Sequence, residues 1–302
     1  MMFTAATHVR NELGECPVWC EKTSSLYWTD IEGSELLSIR ENSSVISRWS
    51  LPERLGSFAL TDNTDILLMG FASRLGYYNL RSHLFTELAA SPGAPGTRIN
   101  DGRCDRAGNF VFGTMHEGSP VQSIGKFHRL NASTLETETL DLPAVAIPNS
   151  ICFSPDGRTM YYSDSLQGRI FCCDYPSLSN QRLFAEIDAE GAPDGSCIDA
   201  QGYLWNAEWG GSRVVRYSPA GEPDRILPSP GIQMTCPVLG GRALDTLYCT
   251  SARVGLSAPT EYDGALFQAQ SPVFPGLPES RFASVSDDAH SIDLSENQRV
   301  NS

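Results

Sequence analysis

Short hydrophobic segments separated by turns recur along the whole chain. Each repeat has an apolar segment, a turn rich in Gly, Asp, Asn and Pro, and a second segment with aromatic or β-branched residues, as in "ICFSPDGRTMYYSDS" and "SCIDAQGYLWNAEW". The spacing of the second segments is most often about 43 residues, a period typical of β-propeller blades. The second segments begin near Leu26, Ile66, Asn109, Met160, Tyr203 and Thr246. Long amphipathic helical patterns are absent from the sequence, so we predict β-strands joined by tight turns.

Six such repeats predict an all-β fold, a six-bladed β-propeller that occupies residues 1–284 as a single domain. Blades packed radially around an axis cover one another's faces and leave only short edges. The third repeat carries an insertion around residues 117–125. We expect the N-terminal segment "TAATHVR" to add a strand to the last blade, which should end near "ESRFASV", and we expect the polar C-terminal tail, residues 285–302, to be mobile.

Composition narrows the possible partners. The chain of 302 residues has 22 Lys and Arg against 36 Asp and Glu, a net charge of −14, which argues against nucleic acid because its phosphates require a basic surface. No apolar run reaches the roughly 18 residues of a membrane span, and the N-terminus lacks the pattern of a signal peptide. We therefore expect no membrane partner, a cytoplasmic location, and a monomer or weak homo-oligomer. The nine cysteines, without a CxxC pair, should be reduced and buried.

A polar residue opens the first strand of four repeats at one register. Counting back eight residues from the turn glycine reaches Asn100, Asn149 and Asp194, and the same count from Thr23 in the first repeat reaches Glu15. Equivalent positions in a propeller are related by rotation about its axis, so these side chains should converge at one mouth of the channel. Carboxylate and amide oxygens suit a divalent cation. Asn and Asp are also common turn formers, but four at one register favour a cation site.

Neighbouring residues are weaker candidates. Arg98 precedes the polar position of the third repeat by two residues, so both side chains should point the same way in an extended segment. Arg98 would then bind an oxygen-rich substrate, or else be an ordinary surface arginine. Glu117 follows His116 in the insertion of the third repeat, beside the mouth if that loop folds over it. Asp30 and Asp164 follow strand aromatics and are expected to organise turns.

Four phrases together carry a family resemblance: "LGECPVW", "RINDGRCDRAGNFVFGTM", "IPNSICFSPDGRTMYYSDS" and "PDGSCIDAQGYLWNAEWGGSRVVRYSPAG". The chain resembles the SMP-30/gluconolactonase/LRE-like family, the group of regucalcin and the sugar lactonases. The resemblance implies a six-bladed propeller with one catalytic divalent metal at the channel mouth. It implies Glu15, Asn149 and Asp194 as metal ligands, Asp194 also as general base, and Arg98 and Asn100 as substrate contacts.

The resemblance also implies the reaction, which is hydrolysis of a gluconolactone-like aldonolactone to the aldonic acid. The metal would be Ca, Zn, Mn, Mg or Fe. Relatives often carry paired acids after "GTM", whereas this chain has His116, Glu117 and Gly118. Glu117 is a candidate substrate-binding residue. Two alternatives stay open: a calcium-binding regulatory propeller without catalysis, and a paraoxonase-like hydrolase of other lactones or esters.

Overall fold

Six four-stranded antiparallel sheets form a ring in this computed structural model, which describes residues 2–187, 191–270 and 274–283. The inner strand of each sheet contacts the inner strand of the next, and the sixth inner strand contacts the first. The predicted six-bladed β-propeller is therefore confirmed. The expected mobile tail, residues 285–302, lies outside the described residues.

The strands of the first three blades follow one another along the chain. The first blade contains β2 (Gly14–Cys20), β3 (Ser25–Asp30), β4 (Glu35–Arg40) and β5 (Ile46–Ser50). The second blade contains β6 (Leu55–Leu60), β7 (Ile66–Phe71), β8 (Arg74–Asn79) and β9 (Phe85–Ala90). The third blade contains β10 (Thr97–Cys104), β11 (Phe110–His116), β12 (Phe127–Leu130) and β13 (Thr137–Thr139).

The remaining blades continue this order until the ring closes. The fourth blade contains β14 (Pro148–Phe153), β15 (Thr159–Asp164), the 3₁₀ helix η1 (Ser165–Gln167), β16 (Arg169–Asp174) and β17 (Arg182–Glu186). The fifth contains β18 (Ala192–Ile198), β19 (Leu204–Trp209), β20 (Arg213–Tyr217) and β21 (Pro223–Pro228). The sixth contains β22 (Gln233–Gly240), β23 (Thr246–Ala252), β24 (Ala265–Gln270) and, as its outer strand, the N-terminal β1 (Thr4–Arg10).

The N-terminal strand closes the ring as predicted, because β1 pairs antiparallel with β24 and so joins the N-terminal segment to the last blade within one sheet. The expected end of the last blade near "ESRFASV" was wrong. The blade's last strand in sequence ends at Gln270, and residues 274–283 instead cross the ends of several blades. This bottom strap, as we name residues 274–283, donates backbone hydrogen bonds to Leu60, Gly108 and Leu244.

The hydrophobic core lies between neighbouring blades. One cluster joins Tyr27 of the first blade to Phe58 of the second, and another joins Trp205 of the fifth blade to Phe267 of the sixth. All nine cysteines are buried and unpaired, as predicted. Among the residues described, no helix has the length and apolarity needed to cross a membrane.

Each inner strand contains a bulge close to the channel mouth. The pairing of every inner strand with its neighbour shifts register at this point, for example between Glu15 and Val18 and between Asn149 and Cys152. A bulge bends the strand and re-aims the side chains around it. The six bulges therefore control which side chains face the mouth.

Candidate active site

The predicted polar residues occupy equivalent positions in the ring. Alignment of the six inner hairpins by their strand pairing places at one register Glu15, Gly56, Asn100, Asn149, Asp194 and Thr235. Four blades thus present a carboxylate or an amide at the mouth, one presents a hydroxyl, and the second blade presents no side chain. The register derived from the turn glycines is the register of the structure.

Glu15 and Asp194 form a pair of carboxyl groups close enough for each to shift the pKa of the other. Burial, with repulsion from Asp101 added, raises the pKa of Glu15 to about 8. Burial and the neighbouring Glu15 and Asp101 carboxylates also raise the pKa of Asp194 well above its usual value. Ionised together, these acids would repel each other strongly at short range in a buried site. A bound cation would remove that penalty.

Asn149 is held beside this pair by neighbouring blades. Its Nδ2 donates to the Ser165 hydroxyl at 2.9 Å, and that hydroxyl donates to the Pro193 carbonyl at 2.7 Å. Asn100 Nδ2 donates to the Pro148 carbonyl at 3.0 Å and lies 3.3 Å from Asn149 Oδ1. Because Ser165 occupies the amide nitrogen of Asn149, the amide oxygen is the atom left to act as a ligand.

Two aspartates fix the segments that lead into the site. Asp30 accepts hydrogen bonds from the backbone nitrogens of Glu12 and Leu13, at 2.9 and 3.0 Å, three and two residues before Glu15. Asp164 accepts the equivalent bonds, at 3.0 and 3.1 Å, from residues 146 and 147 of the fourth blade. These contacts agree with the expected role of both aspartates in organising turns. They also fix the backbone that leads into two candidate ligands, Glu15 and Asn149.

The donor set fits a hard divalent cation. Within the described part of the chain, no group of three or more His, Cys, Asp or Glu side chains could hold a metal ion. A metal at this mouth therefore needs an amide oxygen beside its carboxylates. Glu15, Asp194 and Asn149 offer two carboxylates and one amide oxygen, which are ligands typical of Ca²⁺, Mg²⁺ or Mn²⁺. Their proximity and the raised carboxyl pKa values agree with such a site.

Arg98 lies at the mouth, as the two-residue spacing predicted. It is only 6% exposed, and its Nη1 donates to Asn100 Oδ1 at 2.7 Å and to the Ile99 carbonyl at 2.9 Å. Burial lowers the pKa of Arg98, although the nearby Glu117 carboxylate opposes this shift. A guanidinium fixed in this way presents its remaining N–H groups in a defined direction.

Glu117 also lies at the mouth, where two arginines share one of its oxygens. Glu117 Oε1 is 2.6 Å from Arg54 Nη1 and 3.6 Å from Arg98 Nε. Two further residues near the mouth, Arg54 and Asp101, were not predicted from the sequence, and Asp101 accepts a hydrogen bond from the Ile151 nitrogen at 2.8 Å. Burial raises the pKa of Asp101 to about 6.

A spacing in the sequence signals Arg54. Arg54 precedes Gly56 by two residues, just as Arg98 precedes Asn100 by two. The signal was hidden because the first turn of the second repeat, "TDNTD", has no glycine, and no count was made from that turn.

Comparison with known proteins decides the family. A sequence model of the SMP-30/Gluconolactonase/LRE-like region matches residues 13–253. The chain belongs to this family. It is 49% identical to an L-arabinolactonase of Azospirillum brasilense over 291 residues, which cover 93% of this chain and 95% of the relative. It is 33% identical to a 6-deoxy-6-sulfogluconolactonase of Pseudomonas putida over 290 residues, with 90% and 95% covered.

The fold agrees with that of a solved family member. The crystal structure of a calcium-binding protein, regucalcin, from Agrobacterium tumefaciens has a TM-score of 0.86 and 27% sequence identity, covering 92% of this chain and 96% of that one. The resemblance read from the sequence is therefore confirmed. The prediction of an enzyme that hydrolyses a cyclic ester is confirmed at the level of the family, whose members similar to this chain include the two lactonases.

Proposed function

We propose that this protein is a metal-dependent sugar lactonase that hydrolyses an aldonolactone to its aldonic acid. The observation that carries the proposal is the Glu15–Asp194 carboxyl pair, in which Asp194 is buried, with the Asn149 amide beside it and Arg98 at the same mouth. The 49% identity to an L-arabinolactonase makes a five-carbon sugar lactone the first substrate to test. Glu15, Asn149 and Asp194 would hold the metal, and Arg98, Asn100 and Glu117 would contact the sugar.

The proposed chemistry divides between the metal and the side chains of the mouth. A bound divalent cation supplies Lewis acidity toward the lactone carbonyl. Asp194 accepts a proton from the water whose oxygen attacks the carbonyl carbon. The ring C–O bond then breaks, and the same proton passes to the departing ring oxygen. Arg98 stabilises the negative charge that develops on the carbonyl oxygen during attack.

Removal and return of metal test this function directly. The purified protein should hydrolyse L-arabino-1,4-lactone and related aldonolactones in a proton-release assay, lose that activity on prolonged chelation, and regain it with Ca²⁺, Mg²⁺, Mn²⁺ or Zn²⁺. The metal content is measured by elemental analysis at each stage. Full activity in protein shown to be free of metal would contradict the metal requirement. Turnover confined to aryl esters or phosphotriesters would contradict the sugar substrate.

A calcium-binding propeller without catalysis is the second candidate, favoured by the similarity to a structure named as a calcium-binding protein. The two candidates differ in one measurement. Micromolar Ca²⁺ binding by titration calorimetry, together with no turnover of any aldonolactone with any of the four cations, would support the second candidate.

A further inference from the structure

The second blade contributes to the mouth in a different way from its neighbours. Its register position is Gly56, and a Cβ atom there would lie 2.3 Å from the Ile99 carbonyl oxygen of the third blade. No side chain fits at this point, because the adjoining strand already fills the space. The side chain that the second blade does place beside the mouth is Arg54, at the same offset from Gly56 as Arg98 has from Asn100.

Arg54 is the principal partner of Glu117. Arg54 Nη1 lies 2.6 Å from Glu117 Oε1, whereas Arg98 Nε lies 3.6 Å from the same oxygen. Arg54 Nη1 also lies 3.6 Å from Glu32 Oε1. The guanidinium of Arg54 thus holds the carboxylate of Glu117 near the buried Arg98, and Glu32 is a second, more distant partner of the guanidinium.

The backbone of Glu117 is fixed separately from its carboxylate. Its nitrogen donates to the Gly96 carbonyl at 3.0 Å, so the main chain is anchored within the third blade. The carboxylate itself is anchored by the second blade. Arg54 and Glu117 have side chains 33% and 36% exposed, and an ion pair with that exposure adds little to folding stability. It can, however, hold a hydrogen-bond acceptor at a defined place beside a substrate.

We propose that Arg54 is a positioning residue that determines specificity in the lactone site, holding the Glu117 carboxylate over Arg98 as the acceptor for hydroxyl groups of the sugar. This inference rests on the proposed function. Arg54 acts on substrate binding and does not take part in breaking the ring C–O bond. Its loss leaves Glu117 free to rotate away, so the sugar hydroxyl groups lose their oriented partner while the metal ligands stay in place.

The test is a set of Arg54 and Glu117 variants assayed on L-arabino-1,4-lactone with saturating metal. Arg54→Ala should raise KM about tenfold and change kcat less than about threefold, the pattern of lost substrate binding. Arg54→Lys keeps a positive charge but not the planar guanidinium, and it should recover part of the loss. In a Glu117→Gln background, Arg54→Ala should raise KM less than about twofold further, because residues that act as a unit are non-additive.

Arg74→Ala is the matched control. Arg74 belongs to the same blade, has the same 33% exposure and pairs with Glu53 at 2.7 Å, away from Glu117. It should leave KM unchanged. The melting temperatures of the Arg54→Ala and Arg74→Ala variants should agree within about 2 °C, since each variant removes a partly exposed arginine that pairs with two carboxylates.

Three results would overturn the inference while the proposed function stands. They are an unchanged KM in Arg54→Ala, a fall in kcat as large as the rise in KM, and an undiminished effect of Arg54→Ala in the Glu117→Gln background. If Arg54→Ala does not fold, the comparison of Arg54→Lys with wild type decides the same questions. A wild-type protein that turns over no lactone would contradict the proposed function itself, and the inference with it.

Discussion

Asp194 has two tasks in the proposed chemistry, cation binding and proton transfer. Asp194 is buried, and the neighbouring Glu15 carboxylate contributes to its raised pKa. Asp194→Asn keeps the shape and one oxygen ligand but removes the charge and the proton acceptor. We expect weaker yet measurable metal binding and, at saturating metal, a rate lower by roughly 10²–10⁴, the usual effect of losing a general base. Steady-state kinetics with metal titration measures both quantities.

Asn149→Ala is the contrast, because it removes a ligand but no base. Excess metal should restore its rate in part, whereas the rate of Asp194→Asn should stay low. If added metal restores Asp194→Asn to near wild-type turnover, Asp194 is only a ligand, and the proton must pass to another group at the mouth.

The raised pKa values predict a pH dependence of the metal-free protein. An acid whose pKa is higher in the folded state than in the unfolded state favours folding only while it is protonated. The stability that it contributes is fully present below the ordinary value of 4.5 and is lost as the pH rises through the folded pKa of Glu15, about 8. Metal-stripped protein should therefore melt about 5 °C or more lower at about pH 8 than at about pH 5.

Added Ca²⁺ or Mn²⁺ should reverse most of this loss, because a cation stabilises the ionised carboxylates. The double variant Glu15→Gln, Asp194→Asn provides the control, and its melting temperature should vary less over the same range. Equal melting temperatures of metal-stripped wild-type protein at the two pH values would show that the carboxyl pair does not carry the predicted penalty.

The bulged inner strands decide which side chains reach the mouth, and Gly56 tests how tightly they pack. A Cβ at Gly56 would lie 2.3 Å from the Ile99 oxygen and 2.9 Å from the Asn100 oxygen, so Gly56→Ala must displace the strand that carries Arg98. We expect a loss of about 1–3 kcal/mol in unfolding free energy, as for other overpacked sites. We also expect a fall in kcat/KM beyond that seen with stability-matched variants. Chemical denaturation and kinetics measure the two effects.

Gly202→Ala is the control at the opposite end of the propeller. Gly202 has a φ of +81°, and no atom lies closer than 3.9 Å to the position that an added methyl group would take, so the substitution costs about 1 kcal/mol through backbone strain alone. It should leave kcat/KM unchanged. A Gly56→Ala variant with wild-type kinetics would show that the inner strand of the third blade tolerates displacement.

Register was the part of the site that the sequence could predict. The number of residues between the turn and the polar position at the mouth is the same in several repeats. Glu15, Asn100, Asn149 and Asp194 could therefore be aligned without a structure. Arg54 was missed because the first turn of its repeat, "TDNTD", has no glycine and was not used for a count. Its contact with Glu117 joins two different blades, and such contacts depend on how blades pack, which a pattern within one repeat does not encode.

At the scale of the whole molecule, two segments hold the ring together. The pairing of β1 with β24 was predictable, because a propeller must close and the N-terminal segment has an extended pattern. The bottom strap was not, because residues 274–283 lack any repeat period. Its path is set by contacts distant in sequence, including a parallel bridge between Phe282 and Thr61 and an antiparallel bridge between Gly276 and Asp199.

The strap carries a charge into the channel. Glu279 lies 2.8 Å from Arg103 of the third inner strand, and the two side chains are only 14% and 12% exposed. Burial lowers the pKa of Arg103, but the Glu279 carboxylate and the nearby cysteines together raise it well above its usual value. The pair therefore links the strap to the inner strands at the end of the channel opposite the mouth.

Glu279→Gln tests this link, because it leaves the Arg103 guanidinium buried without a counter-ion. Breaking a buried pair from one side costs about 3 kcal/mol or more, which corresponds to a melting temperature about 6 °C lower or more. Glu138→Gln, which breaks the more exposed pair with Arg129, should cost less than about 1 kcal/mol. Replacing both partners, Arg103→Met with Glu279→Leu, should recover much of the lost stability.

The lactonase rate of folded Glu279→Gln should stay close to wild type, since the mouth is untouched. If this variant melts within about 1 °C of Glu138→Gln, the strap is held by its backbone contacts and the buried ion pair contributes little.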